Sequence, residues 1–240
     1  MNCLALIPAR SGSKGITDKN LQEIGGHSLM EWSIKAALRT PSITNTIVST
    51  DTKVYADHAM SCGAQVPFLR PKIISKDNST DYEFILHALD NIDSPTEIPD
   101  YIIHLRPTTP LRNPLLLEKA INEFTSQGND FTSLRSVHPD SESAYKSTEI
   151  DKSGVLTTVF THSSDLDSIN SARQTYPRTF TANGYIDIIN VRFVRSESKL
   201  HGNRVMPFIT PHVIEIDSFS DLQLARSYLK MNPDLKHSIF

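Results

Sequence analysis

Short apolar runs alternate with amphipathic stretches along this chain of 240 residues, and the period of the pattern changes from segment to segment. Cys3-Leu4-Ala5-Leu6-Ile7 is continuously apolar and stops at Pro8, which reads as a strand buried on both faces. Comparable runs predict strands at Thr46–Ser49, Tyr101–Leu105, Phe131–Val137, Tyr185–Val191 and His212–Ile216. Between them, Met30, Ile34, Ala37 and Leu38 fall at helical spacing and predict a helix over Leu29–Leu38. Further helices are predicted at Phe84–Leu89, at Leu115–Phe124 with Pro114 suiting the first turn, and at Leu222–Leu229 with Ser218 or Ser220 as N-cap. Strands alternating with helices describe an α/β chain with a parallel sheet flanked by helices. The rhythm breaks from about His138 to Phe180, where Ser, Thr and Asp abound around the β-like Val155–Phe160. Tyr145, Phe160 and Tyr176 in that stretch favour an insertion that packs over one that is disordered. The expected organisation is a single domain over residues 1–240 with an insertion at about 138–180.

The chemistry begins where the first strand ends. Ala9-Arg10-Ser11-Gly12-Ser13-Lys14-Gly15, followed by Lys19-Asn20, is a basic, glycine-containing loop. Such a loop suits a nucleoside triphosphate, because glycines let backbone N–H groups approach phosphate oxygens while the cations offset their charge. Its spacing matches neither a Walker A loop nor a dinucleotide fingerprint, and a surface turn of solvated charges is the competing reading. Glu215 and Asp217 stand at i and i+2; on a strand they would share a face and offer two carboxylates to one hard cation, Mg²⁺, that bridges to phosphate. A solvated polar strand edge is the alternative there.

Charge narrows the partners. With 24 Lys and Arg against 27 Asp and Glu, the net charge of -3 and the absence of a basic run argue against nucleic acid. Cys3 and Cys62 show neither metal-ligand spacing nor a disulfide framework, and the histidines are scattered. The N-terminus lacks a basic n-region and long h-region, and no run approaches transmembrane length, so the expectation is a cytoplasmic protein without a membrane partner.

Several segments in order resemble the acylneuraminate cytidylyltransferases, the CMP-sialic acid synthetases. They are Ile7-Pro8-Ala9-Arg10-Ser11-Gly12-Ser13-Lys14-Gly15 with Lys19-Asn20-Leu21, Val48-Ser49-Thr50-Asp51, Val66-Pro67-Phe68-Leu69-Arg70-Pro71, Leu105 to Arg112, Asn183-Gly184, and Glu215-Ile216-Asp217. The resemblance covers nearly the whole chain. It implies a Rossmann-like, mainly parallel sheet flanked by helices, with the insertion serving dimerisation and reaching the neighbouring subunit's active site. It also implies a homodimer that uses Mg²⁺, CTP and an acidic α-keto sugar, whose anomeric hydroxyl attacks the α-phosphate to give CMP-sugar and pyrophosphate. Carried over, Arg10, Lys14 and Asp217 are the catalytic residues, and Arg10, Ser13, Lys14, Lys19, Asn20, Arg70, Ser79 and Thr80 bind the nucleotide. Arg106, Lys146, Arg173, Gln174, Asn183 and Asp187 fall to the sugar, and Glu215 and Asp217 to the metal.

The chain departs from the family's wording at Asp81, where relatives carry Ser or Thr, at Arg106 for Gln, at Thr181 for a basic residue, at Asp187 for an aromatic and at Glu215 for Asp. Arg106 either pairs with the sugar carboxylate or buttresses the Pro107–Pro110 turn; Arg70 either reads the base or forms a loop salt bridge, and Ser79 and Thr80 either read the base or cap a helix. The Asp187 change points to a substrate other than N-acetylneuraminate, such as a legionaminate-type acid. Two other readings stand beside this one: a cytidylyltransferase for an eight-carbon, Kdo-like keto acid, and a non-catalytic nucleotide-binding protein on the same fold.

Overall fold

The computed structural model describes residues 1–92, 98–128 and 130–240. Its centre is a six-stranded sheet in the order β10-β6-β9-β5-β1-β4, formed by β1 (Cys3–Pro8), β4 (Asn45–Ser49), β5 (Tyr101–His104), β6 (Ser133–Pro139), β9 (Phe180–Asn190) and β10 (Val205–Ile209). β1 pairs parallel with β4 and β5, β10 pairs parallel with β6, and β9 runs antiparallel between β5 and β6. The sheet is therefore mainly parallel and helix-covered, as the alternation of patterns implies.

β1 shows why its run is continuously apolar. Cys3, Ala5 and Ile7 enter one core cluster and Leu4 and Leu6 another, so alternate side chains bury against opposite helical layers. α1 (Leu29–Leu38) and α4 (Pro114–Ser126) pack in the first cluster through Met30, Ile34, Leu117 and Ile121. α3 (Asp81–Asp90) and α5 (Val191–Glu197) pack in the second through Phe84, Ile85 and Val194. A third cluster joins Ile16 of the loop after β1, Trp32 of α1, Ile216, and Leu222 and Leu229 of α6 (Phe219–Met231). That cluster decides the site, because it clamps the segment carrying Asp217 against the basic loop.

The four predicted helices are present, with Pro114 in the first turn of α4 and Ser218 capping α6 through Asp221 N–H. α2 (Lys53–Ser61) and α5 were not legible in the pattern. His212–Ile216 is not a strand: residues 211–216 run as irregular chain, and the outer strand is β10, which carries Pro207. Proline is tolerated there because β10 is an edge. The interruption at about 138–180 is an excursion between β6 and β9, whose ends continue to pair at His138↔Thr181 and Pro139↔Phe180. It holds a small hairpin of β7 (Thr148–Ile150) and β8 (Leu156–Thr158), and Tyr145 stacks on Phe160 with ring centroids 4.6 Å apart. Among the described residues no helix is long and apolar enough to cross a membrane.

Candidate active site

A cleft of 380 Å³ opens beyond the carboxyl ends of β1 and β5, where open α/β sheets take their ligands. The loop after β1, the approach to α3, the turn after β5 and Asp217 form its walls. Arg10, Lys14, Lys19, Arg70, Lys76 and Arg106 line it against only Asp77, Asp81 and Asp217, so the cleft is cationic in a chain of net negative charge.

The basic loop is held from three sides. Asp51, just beyond β4, accepts hydrogen bonds from Ser11 N–H at 2.7 Å and from Ser11 Oγ at 2.8 Å. Asn20, nearly buried, donates its amide to the Arg10 carbonyl at 3.0 Å. Asp18 adopts the left-handed conformation at φ 47, unusual without glycine, and Tyr55 Oη donates to its carboxylate at 3.0 Å. Burial, reinforced by the Asp18 carboxylate, raises the Tyr55 pKa, so the phenol stays a donor. Gly15 lies so close to the Asp217 carbonyl that a Cβ there would sit 2.6 Å from it; glycine is what allows the loop and the Asp217 segment to touch.

The cations themselves are paired. Asp77 bridges Arg10 at 2.8 Å and Lys14 at 2.6 Å, and the Lys14 contact is the main reason its carboxyl titrates low. Lys19 pairs with Asp217 at 2.9 Å. Arg106 is clamped between Asp187 at 2.8 Å and Asp81 at 2.6 Å, and these carboxylates raise its pKa against the opposing effect of burial. Such a set of fixed cations with exchangeable carboxylate partners suits a polyphosphate ligand.

The comparisons agree with that chemistry. Residues 4–177 match the sequence profile described as cytidylyltransferase. The chain belongs to the cytidylyltransferase family. It is 28% identical over 237 residues, 98% of this chain and 99% of the other, to the CMP-N,N'-diacetyllegionaminic acid synthase of Legionella pneumophila. It is 32% identical over 131 residues, 55% of this chain and 56% of the other, to the pseudaminic acid cytidylyltransferase of Campylobacter jejuni. Among solved structures, a CMP:2-keto-3-deoxy-manno-octonic acid synthetase complexed with CTP superposes with TM-score 0.72 at 16% identity, covering 97% of this chain and 100% of that one, which shows the shared fold.

Within this cytidylyltransferase, the residues expected at the nucleotide do converge: Arg10, Ser13, Lys14, Lys19, Asn20, Arg70, Ser79 and Thr80 all line the cleft. Several have local partners. Arg70 is buried, donates from Nε to Ser49 Oγ at 3.0 Å and lies over the Phe84 ring at 4.8 Å. Thr80 caps α3 in a reciprocal box with Glu83, and Ser79 Oγ accepts from Lys76 N–H. Thr80 is thus a helix cap, Ser79 closes a turn and does not cap the helix, and Arg70 holds Ser49 by hydrogen bonds and not, among the described residues, a loop carboxylate.

The residues expected at the sugar do not form one site in this subunit. Arg106 lines the nucleotide cleft with both its terminal nitrogens on aspartates, while its carbonyl accepts the Thr109 N–H across the proline turn. Asp187 is 1% exposed and Asn183 2%; Asp187 faces Arg106, and Asn183 lines the hollow it shares with Glu215. Asn183 also bonds Thr210 at 2.6 Å, and the following Gly184 takes φ 62, where a Cβ would stand 3.2 Å from Thr109 Oγ1. Lys146, Arg173 and Gln174 sit on the insertion, away from the nucleotide cleft: Lys146 lies 5.7 Å over the Tyr176 ring, while Arg173 and Gln174 line a separate hollow of 540 Å³.

The carboxylate pair is also rearranged. Because residues 211–216 are not a strand, Glu215 and Asp217 do not share a strand face. Asp217 lines the nucleotide cleft, whereas Glu215 is hydrogen-bonded to the Thr108 side chain and lines a neighbouring hollow. Burial first, then the Asp217 charge, raises the Glu215 pKa. Asp77 and Asp81 in the cleft, and Asp51 behind its loop, are acidic residues that the sequence left without a role; Asp51 lies within the Val48–Asp51 segment and Asp77 within a polar run beside Lys76.

Proposed function

We propose that this chain transfers the cytidylyl group of CTP to a nonulosonic, sialic-acid-like sugar and releases pyrophosphate. The observation that carries the reading is the cationic cleft at the strand ends, built on the loop that the family profile covers. Relatives named for legionaminic and pseudaminic acids support the acceptor class. In this reaction the anomeric oxygen of the sugar forms a bond to the α-phosphorus, and the bond from that phosphorus to the oxygen bridging to the β-phosphorus breaks. The anomeric proton passes to a base or solvent, and pyrophosphate carries away the electron pair. Arg10, Lys14 and Lys19 hold the phosphates and offset the charge that builds on the leaving group.

Asp217 suits Mg²⁺, a cation that keeps most of its water and needs only one or two carboxylates beside substrate phosphates. Bound there, Mg²⁺ would supply Lewis-acid stabilisation of the phosphates. For the assembly we propose a homodimer, supported by exposed Ile150, Val155, Leu156 and Phe160 on the excursion between β6 and β9. A dimer in which the excursion reaches the partner's cleft brings Lys146, Arg173 and Gln174 to the sugar, and CTP as substrate places the protein in the cytoplasm.

The test is pyrophosphate release with CTP and Mg²⁺ against a panel of N-acetylneuraminic, legionaminic, pseudaminic and eight-carbon keto acids. A nine-carbon acid is expected to give the highest kcat/KM. Turnover only with the eight-carbon acid, or with none of the panel, contradicts the proposal.

A further inference from the structure

Asp77 stands where the chemistry of the cleft calls for a ligand. Its two carboxylate oxygens are shared between two cations, Oδ1 with Arg10 at 2.8 Å and Oδ2 with Lys14 at 2.6 Å. That is the arrangement a phosphate would adopt between the same two side chains. The loop's other cation, Lys19, is turned to Asp217 instead.

Asp77 is also placed to leave. It belongs to a segment that joins a 3-10 turn at Lys72–Ile74 to the cap of α3, and it lies between Lys76 and Ser79, whose mutual bonds close a small turn. Its side chain is 42% exposed and that of Lys14 is 83% exposed, so water screens both contacts and they are exchangeable. Asp51, by contrast, holds the Ser11 backbone as well as its hydroxyl and pairs with neither Arg10 nor Lys14.

We propose that Asp77 is a specificity-determining residue of the nucleotide cleft, an internal anion that occupies the phosphate subsite between Arg10 and Lys14 until a polyphosphate displaces it. Every ligand that reaches both cations competes with Asp77, and a ligand that does not reach them is indifferent to it. The carboxylate thereby weakens retention of pyrophosphate after transfer and lowers the affinity of phosphate-bearing ligands while leaving an uncharged nucleoside unaffected. This deepens the proposed function but rests only on its nucleotide half, since no acceptor sugar enters the argument.

The experiment is titration calorimetry, at one fixed ionic strength, of the full chain and its Asp77→Asn and Asp77→Glu variants with CTP, inorganic pyrophosphate and cytidine. Two exposed ion pairs released together predict that Asp77→Asn binds CTP and pyrophosphate about three- to tenfold more tightly, with cytidine unchanged. Asp77→Glu, which keeps the charge, is expected to return toward the wild-type affinities. Unchanged binding of CTP and pyrophosphate in a folded Asp77→Asn protein would overturn the proposal, since the carboxylate then competes with nothing. Weaker binding would overturn it as well, by making Asp77 a support of the cradle. A wild-type protein that binds pyrophosphate but shows no turnover with any sugar defeats the acceptor assignment and leaves this comparison intact.

Discussion

Arg112 is a fully buried guanidinium whose hydrogen-bond partners are not carboxylates. Nε donates to the Tyr185 carbonyl at 2.6 Å, one terminal nitrogen to Ser33 Oγ at 3.0 Å, and the other to the carbonyls of Arg106 and Gly184 at 2.8 and 3.0 Å. It thus ties the turn after β5 to the Asn183-Gly184 corner of β9. Burial lowers its pKa to about 9, so it remains charged at neutral pH. Arg112→Met would fill similar space while taking that donor from the Tyr185 and Gly184 carbonyls, the Arg106 carbonyl keeping the Thr109 N–H, and each orphan costs about 1–3 kcal/mol. Relief from burying the charge offsets part of the sum, and a net loss of about 3–4.5 kcal/mol remains. With a urea slope of about 3 kcal/mol per molar, the unfolding midpoint should fall by about 1–1.5 M. Arg112→Lys should lie between, because an ammonium keeps the charge but lacks the planar fork that reaches separated carbonyls. Urea titrations followed by circular dichroism measure all three proteins. A methionine variant with a wild-type midpoint would refute the reasoning, since the carbonyls would then be satisfied without the guanidinium.

Four further outcomes follow from the same geometry. Asp51→Ala frees Ser11 and should raise the KM for CTP about tenfold with little change in melting temperature; an unchanged KM contradicts the anchoring role. Asp187→Asn removes the buried partner of Arg106 and should cost about 3 kcal/mol in thermal denaturation, and a loss no larger than that of Asp81→Asn would show that burial adds nothing to this pair. Burial, with Arg106, Arg112, His201 and Arg135 around it, depresses the His104 pKa, and Asp187 at 3.8 Å does not reverse this. The unfolded chain therefore takes up a proton below about pH 6.5 that the folded chain refuses, so stability should fall with pH there by up to about 1.4 kcal/mol per unit. The depressed His87 and His201 act in the same direction, and His104→Gln should flatten the slope in urea titrations between pH 7 and 5; an undiminished slope would contradict the assignment. Asp217→Asn should raise the Mg²⁺ concentration needed for half-maximal pyrophosphate release more than Glu215→Gln does, because only Asp217 lines the cleft, and equal effects would return the metal to both carboxylates.

Local signals determined much of this protein. The apolar run of β1, the 3.6-residue spacing of α1, the proline that starts α4 and the serine that caps α6 each depend on neighbours within a few residues, so the linear pattern contains them. The basic loop was legible for the same reason: its cations and glycines lie within ten positions of one another. The tertiary structure decided which carboxylate meets which cation. Asp77 reaches Arg10 across 67 positions, Asp217 reaches Lys19 across 198, and Asp187 reaches Arg106 across 81. Those pairings come from chain crossovers in the sheet and from the cluster that holds Ile16 against Ile216, neither of which has a sequence period. The same cause explains the misread carboxylate pair. Alternation over residues 212–216 is what a strand would show, but the sheet already ends at β10, and the segment is fixed instead by one backbone bond from Ile216 N–H to the Thr108 carbonyl and by burial of Ile216. A two-residue period describes which way side chains alternate; whether a neighbouring strand exists to pair with is a property of the whole fold.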